Sequence, residues 1–155
     1  MDIVDGSRPH SLKSSELFTC LVERMEEYEL YTSCDLMTTV YYILRKQIPK
    51  EEVLQQLKVL NQIINVVEFS SKEIDEAIYL MEKNKDFKDL EDTIQFIMAR
   101  KSFCDYIVTN DKNFFSYELV FLSSQGALET VCYDINISMI NYTRSLDVKK
   151  DSINR

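Results

Sequence analysis

FKDLEDTIQFIMARKSFCDYIVTNDKNF, residues Phe87 to Phe114, is the stretch that decides the fold. Asp89 reads as the cap of a helix whose apolar side carries Leu90, Ile94, Ile97 and Met98 at helical spacing. The aromatic and β-branched residues Tyr106–Val108 follow as a short strand, closed by the turn-like pair Asn110-Asp111. A helix that runs directly into a strand is half of a βαβ unit.

The same alternation extends in both directions. Upstream, Ser11 and Ser14 are cap candidates for a helix bearing Leu17, Phe18, Leu21, Val22 and Met25. Glu29–Thr32 reads as a strand, and Ser33 caps a second helix with Leu36, Val40, Ile43 and Leu44. Pro49 opens a third helix with Val53, Leu54, Leu57, Leu60 and Ile64 as its buried stripe. Val66–Phe69 is a strand. Ser70 and Glu73 form a capping-box pattern for a fourth helix, with Ile74, Ala77, Ile78 and Met81 inward. Downstream, Tyr117–Leu122 reads as a last strand, with Ser123 or Ser124 capping a short helix; residues beyond about 140 are polar. Strands separated by helices imply a parallel sheet covered on both faces, with ligands at the strands' carboxyl ends.

Composition narrows the chemistry. The chain has 155 residues, a length suited to one domain, with 45% hydrophobic and 28% charged residues. Only two Gly and two Pro occur, which argues against a loop-rich or disordered chain. No apolar run approaches the ~20 residues of a membrane span, and the start, MDIVDGSRPH, has no signal-peptide character. No membrane association and a cytoplasmic location are therefore expected. The cysteines at 20, 34, 104 and 132 have no CxxC spacing and read as reduced thiols. His10 is the single histidine, so a multi-histidine metal site is excluded. The net charge of −8 weighs against broad binding to nucleic acid, but an acidic site becomes attractive to phosphate once cations load.

Asp111 follows the strand Tyr106–Val108, and Asp92 lies in the first turn of the helix that leads into it, so the two acids are expected to converge. Hard oxygen donors of this kind suit Mg²⁺ or Mn²⁺, which would orient a water and stabilise charge on a phosphodiester. Structural readings compete at each position. Asp89 reads first as a helix cap, Asp92 gains from the helix dipole, and Asp111 fits turn chemistry.

Read together, these segments resemble the PIN domain, a nuclease fold of bacterial toxin–antitoxin pairs and RNA-processing enzymes. The residues that carry the resemblance are Asp89, Asp92, Ala99, Thr109, Asp111 and Phe114, supported by the segment TSCDLMTTVYYILRK. The resemblance implies a three-layer α/β/α fold with a central parallel sheet. It also implies RNA hydrolysis dependent on Mg²⁺ or Mn²⁺, with Asp92 and Asp111 as catalytic and metal-binding acids, Asp89 as a further ligand, and Thr109 beside them. Thr39 falls where the family usually places a Glu. The family's first strand ends in Asp-x-Asn, whereas MDIVDGSRPHS, including Asp2 and Asp5, resembles the segment just downstream of that motif. The expected organisation is thus a PIN-like domain over 1–130 without its first strand and a polar extension over 131–155. Met1 is not expected to be the natural start, and activity is expected if the Asp is supplied upstream. Expected partners are RNA, an antitoxin and a second copy of the chain, with Leu17, Phe18, Tyr41 and Tyr42 as an exposed apolar patch that meets a second copy or an antitoxin segment. Two alternatives are a degenerate PIN module that binds RNA or protein without cleaving, and an unrelated acidic α/β binding protein.

Overall fold

Capping chemistry fixes where the chain turns helical in the computed structural model, which describes residues 2, 3 and 6–131. Asp89 adopts extended backbone and accepts the amide of Asp92 at 3.2 Å, which starts α5 (Leu90–Lys101). Ser70 and Glu73 form the anticipated reciprocal box: the Ser70 amide donates to Glu73 Oε2 at 2.7 Å, and Ser70 Oγ accepts the Lys72 amide. This satisfies amides that the first turn of α4 (Ser71–Lys83) would otherwise leave unpaired, a contribution of about 1 kcal/mol.

The remaining elements are α1 (Ser11–Glu23), β1 (Tyr31–Ser33), α2 (Cys34–Leu44), α3 (Lys50–Ile63), β2 (Asn65–Val67), β3 (Tyr106–Val108) and β4 (Val120–Leu122). A helix over 124–131, here α6, follows β4. Pro49 proves to be the N-cap of α3 and not its first helical residue, and His10 caps α1 without a side-chain bond. The strands have three residues each, shorter than the segments 29–32, 66–69 and 117–122 suggested.

β1 pairs parallel with β2, and β3 pairs parallel with β4, with Ile107 opposite Phe121 and Val108 opposite Leu122. Successive strand residues point to opposite faces, so Ile107 and Leu122 mark the two faces of the sheet. Ile107 packs into a cluster built by α4 and α5, around Ala77, Phe87, Phe96, Ile97 and Met98. Leu122 packs into a separate cluster built by α1 and α6, around Leu17, Ala127 and Val131. Helices thus cover both faces, the layering that alternating helix and strand signals predict.

Phe96 is fully buried among the rings of Phe87 and Tyr117, at centroid distances of 5.4 and 5.3 Å. Burying such a ring contributes about 1.5–3 kcal/mol. Several residues assigned inward from periodicity are exposed instead: Met25, Leu54, Ile78 and Leu90. Met25 lies beyond the end of α1, and Leu90 is the first residue of α5, ahead of the turn that meets the core. Val131 is buried with Leu17 and Ala127. The rest of the 131–155 extension, with Cys132, and also Met1 and Asp5, lie outside the described residues.

Candidate acidic cleft

β3 ends at Val108, and the chain turns at once. The Asp111 amide donates to Thr109 Oγ1 at 3.1 Å, and Asp111 Oδ1 accepts the Asn113 amide at 2.8 Å. Both bonds hold Asp111 at the carboxyl end of the strand. The start of α5 supplies the facing wall. Arg8, Lys88, Asp89, Glu91, Asp92, Thr93, Asp111 and Asn113 line one cleft of about 640 Å³, with Phe87 and Phe115 forming its apolar side.

Asp92 is half-buried and its carboxyl is pushed above the usual carboxylate range. Burial is the first cause, followed by the negative charges of Asp89, Asp111 and Glu91. The expected convergence of Asp92 and Asp111 is therefore seen: both line the cleft, and the Asp111 charge acts on the Asp92 carboxyl. Among the described residues, no ion pair reaches Asp89, Asp92 or Asp111. A cation would relieve the repulsion, and two or three carboxylates plus water are a donor set that Mg²⁺ or Mn²⁺ accepts. Asp89 already spends one oxygen as the α5 cap. Among the described residues, no group of three or more His, Cys, Asp or Glu is gathered as a ready metal cage. The donor set fits an ion held by few protein oxygens, not one enclosed by protein.

Thr39 lies elsewhere. Its hydroxyl bonds the Asp35 carbonyl within α2 at 3.2 Å, and it does not line the cleft. The nearby polar chain instead joins Asp35, Ser33 and Gln95: Ser33 donates to Asp35 Oδ1, and Gln95 Nε2 donates to Ser33 Oγ at 2.7 Å.

Sequence reasoning missed two features. Arg8 reaches the cleft and pairs with Asp2 at 2.9 Å. Asn110 has the local pattern of a turn residue, yet its side chain ties three segments together. Its Nδ2 donates to Asp2 Oδ2 at 2.6 Å and Ser124 Oγ at 2.8 Å, while its Oδ1 accepts the Ser124 amide at 3.0 Å. Ser124 Oγ in turn shares a hydrogen bond with buried Ser14 at 2.7 Å. No local pattern signals such a knot, because its hydrogen bonds join residues up to 110 apart.

Residues 2–113 match the family model described as PIN domain. The chain belongs to the PIN domain family. Over 129 residues it is 39% identical to Ribonuclease VapC1 of Aquifex aeolicus (strain VF5), a match that covers 83% of this chain and 88% of the relative. No solved structure gives a significant match. Family membership accounts for the three-layer α/β/α arrangement, and the acidic cleft lies where a PIN domain's parallel strands end.

The surface expected to meet a partner is mixed. Leu17 is buried in the core, Phe18 and Tyr41 are half-buried, and Tyr42 and Leu12 are exposed at 68% and 77%. No helix among the described residues is long and apolar enough to cross a membrane. Cys20, Cys34 and Cys104 are half-buried.

Proposed function

We propose that this PIN domain is a toxin-type ribonuclease that hydrolyses RNA phosphodiester bonds with Mg²⁺ or Mn²⁺. The observation that carries this reading is Asp92, a half-buried carboxyl disfavoured in its charged form and facing Asp89 and Asp111. Groups so perturbed in a cleft mark functional sites more often than chance. Asp92 and Asp111 are the acids that would hold the ion, with the free oxygen of Asp89 beside them; the ion, when bound, supplies water activation and neutralises phosphate charge. Thr109 fixes Asp111, the α5 cap fixes Asp92, and Arg8 with Lys88 offers the phosphate backbone two cations at the rim. The identity to a ribonuclease supports the same assignment.

The partners that go with this reading are RNA, an antitoxin protein and a second copy of the chain, in a cytoplasmic setting. The exposed Leu12 and Tyr42 are the apolar contacts a protein partner would cover. A second reading, a PIN module that binds RNA or protein without cleaving, is favoured by Thr39, which brings no carboxylate to the site. RNA cleavage by the full chain with Mn²⁺, with chelator, and with Asp111→Asn separates the two. Cleavage that needs Mn²⁺ and Asp111 supports the nuclease. RNA retention without cleavage under every condition supports the binding module.

A further inference from the structure

Asp86, Asp89, Glu91, Asp92 and Asp111 share the acidic cleft with the cations Arg8 and Lys88. A long cation beside unpaired acids is drawn onto them. Lys88 is exposed and keeps a strongly hydrated ammonium in solvent, but a guanidinium sheds water readily and forks onto carboxylates. Arg8 nevertheless stays off the acids. Among the described residues its ion pair is with Asp2, Nη1 to Oδ1 at 2.9 Å, and none reaches Asp89, Asp92 or Asp111. The charges acting on the Asp92 carboxyl are all negative, so Arg8, though it lines the same cleft, leaves them unanswered.

The restraint is a carboxylate outside the acidic group. Asp2 has only 14% of its side chain exposed, and each of its oxygens has its own partner: Oδ1 takes Arg8, and Oδ2 accepts Asn110 Nδ2 at 2.6 Å. Asn110 is itself fixed by the knot at the start of α6. Its Oδ1 accepts the Ser124 amide, and its Nδ2 also reaches the Oγ atoms of buried Ser124 and Ser14, at 2.8 and 3.3 Å. Packing thus sets Asp2 in place, and a preset carboxylate offers Arg8 a short, charge-assisted bond. The acids across the open cleft attract Arg8 only through solvent, which screens them.

We infer that Asp2, fixed by Asn110, is a positioning residue that holds the Arg8 guanidinium off Asp92 and Asp111 and keeps those acids open to a divalent cation, a role that rests on the metal-dependent ribonuclease reading. Arg8 then stays at the rim, where an RNA phosphate meets it without the ion being displaced. Without Asp2 the same Arg8 becomes an internal competitor. It pairs with the cleft acids, as Arg100 and Lys101 pair with Glu76 and Glu73 elsewhere on α5.

Mn²⁺ alone, titrated calorimetrically into the full chain, tests this across the natural protein, Asp2→Asn, Arg8→Gln and the double variant. Asp2→Asn should weaken Mn²⁺ binding about 5-fold. Arg8→Gln should change it by no more than about 2-fold while Asp2 is present, but tighten it about 5-fold in the Asp2→Asn background. An equal factor from Arg8→Gln in both backgrounds overturns the inference, because it reports net charge alone. So does a loss in Asp2→Asn that Arg8→Gln leaves in place, the mark of a damaged rim. If no protein of the set binds Mn²⁺, the ribonuclease reading falls, and denaturant unfolding in chelator decides the role of Asp2. There Arg8→Gln and Asp92→Asn should be additive while Asp2 is present, and should couple by about 3-fold or more in the unfolding constant once Asp2→Asn frees Arg8. Coupling already present with Asp2 in place, or absent from both backgrounds, overturns that role.

Discussion

Two clefts flank α5, and both are lined by carboxylates, yet their electrostatics are opposite. In the smaller, of about 250 Å³, the chain supplies its own cations: Lys101 pairs with Glu73, and Arg100 pairs with Glu76 and Glu118. Glu73 is buried, and the Lys101 ammonium, helped by the Ser70 hydroxyl and amide, holds its carboxyl down at about 2. In the larger cleft Asp92 meets burial and other acids, and its carboxyl is pushed the other way. One residue class therefore serves two ends. Where lysine and arginine answer it, a carboxylate stabilises the fold. Where acids face acids, it costs stability and favours a cation from outside.

The largest effect that separates the clefts is on activity. Asp111→Asn or Asp92→Asn should reduce Mn²⁺-dependent RNA cleavage by about 100-fold or more, the order expected when a metal-held charge is lost. Glu76→Gln, in the other cleft, should leave cleavage within about 2-fold. Comparable losses from both variants would show that the clefts differ in pKa but not in role.

The second effect is on acid stability. A carboxyl with a depressed folded pKa contributes stability that is complete above its unfolded value, about 4.5, and is lost as pH falls toward about 2. Glu73→Gln should therefore lower Tm at pH 7 by roughly a few degrees and flatten its decline between pH 4.5 and 2. Thermal melts across that window decide it; an unchanged acid limb would mean that Glu73 is not the group that matters.

These contrasts explain what the sequence made legible. The helix that carries Asp89 and Asp92 was readable because its cap, apolar stripe and following strand are all local. So was the box of Ser70 and Glu73. The partners were not. Lys101 lies 28 residues from Glu73, and Arg8 reaches the acidic cleft from ahead of α1. Leu54 and Ile78 misled because periodicity marks an apolar face without showing whether another element covers it. Pairing distinguishes the clefts, and pairing is set by tertiary packing.

Asp89 belongs to both regimes, and its variants sort the two roles. Asp89→Ala removes the cap of α5 and should cost about 1 kcal/mol, seen in denaturant unfolding. Asp89→Asn keeps a capping oxygen and should leave stability within about 0.3 kcal/mol. If Asp89 also lends an oxygen to the ion, Asp89→Asn weakens Mn²⁺ binding several-fold at unchanged stability. Unchanged Mn²⁺ binding would leave it a cap alone.

The smallest effect is the most pointed. A carboxyl whose folded pKa is raised makes folding less favourable once the pH exceeds its unfolded value, about 3.8, and makes no difference well below it. In chelator at pH 7, Asp92→Asn should therefore be more stable than the natural protein, by a few tenths of a kcal/mol after solvent screening of this half-exposed group. The gain should vanish near pH 3, where both carboxyl and amide are neutral. Adding Mn²⁺ should reverse the order, since an ion that binds only the folded natural protein raises its Tm and leaves the Asn variant unmoved. A variant that is less stable than the natural protein in chelator would mean that Asp92 is held by contacts that favour its charge. The acidic cleft would then resemble the Glu73 cleft, and the case for an external cation would lose its physical basis.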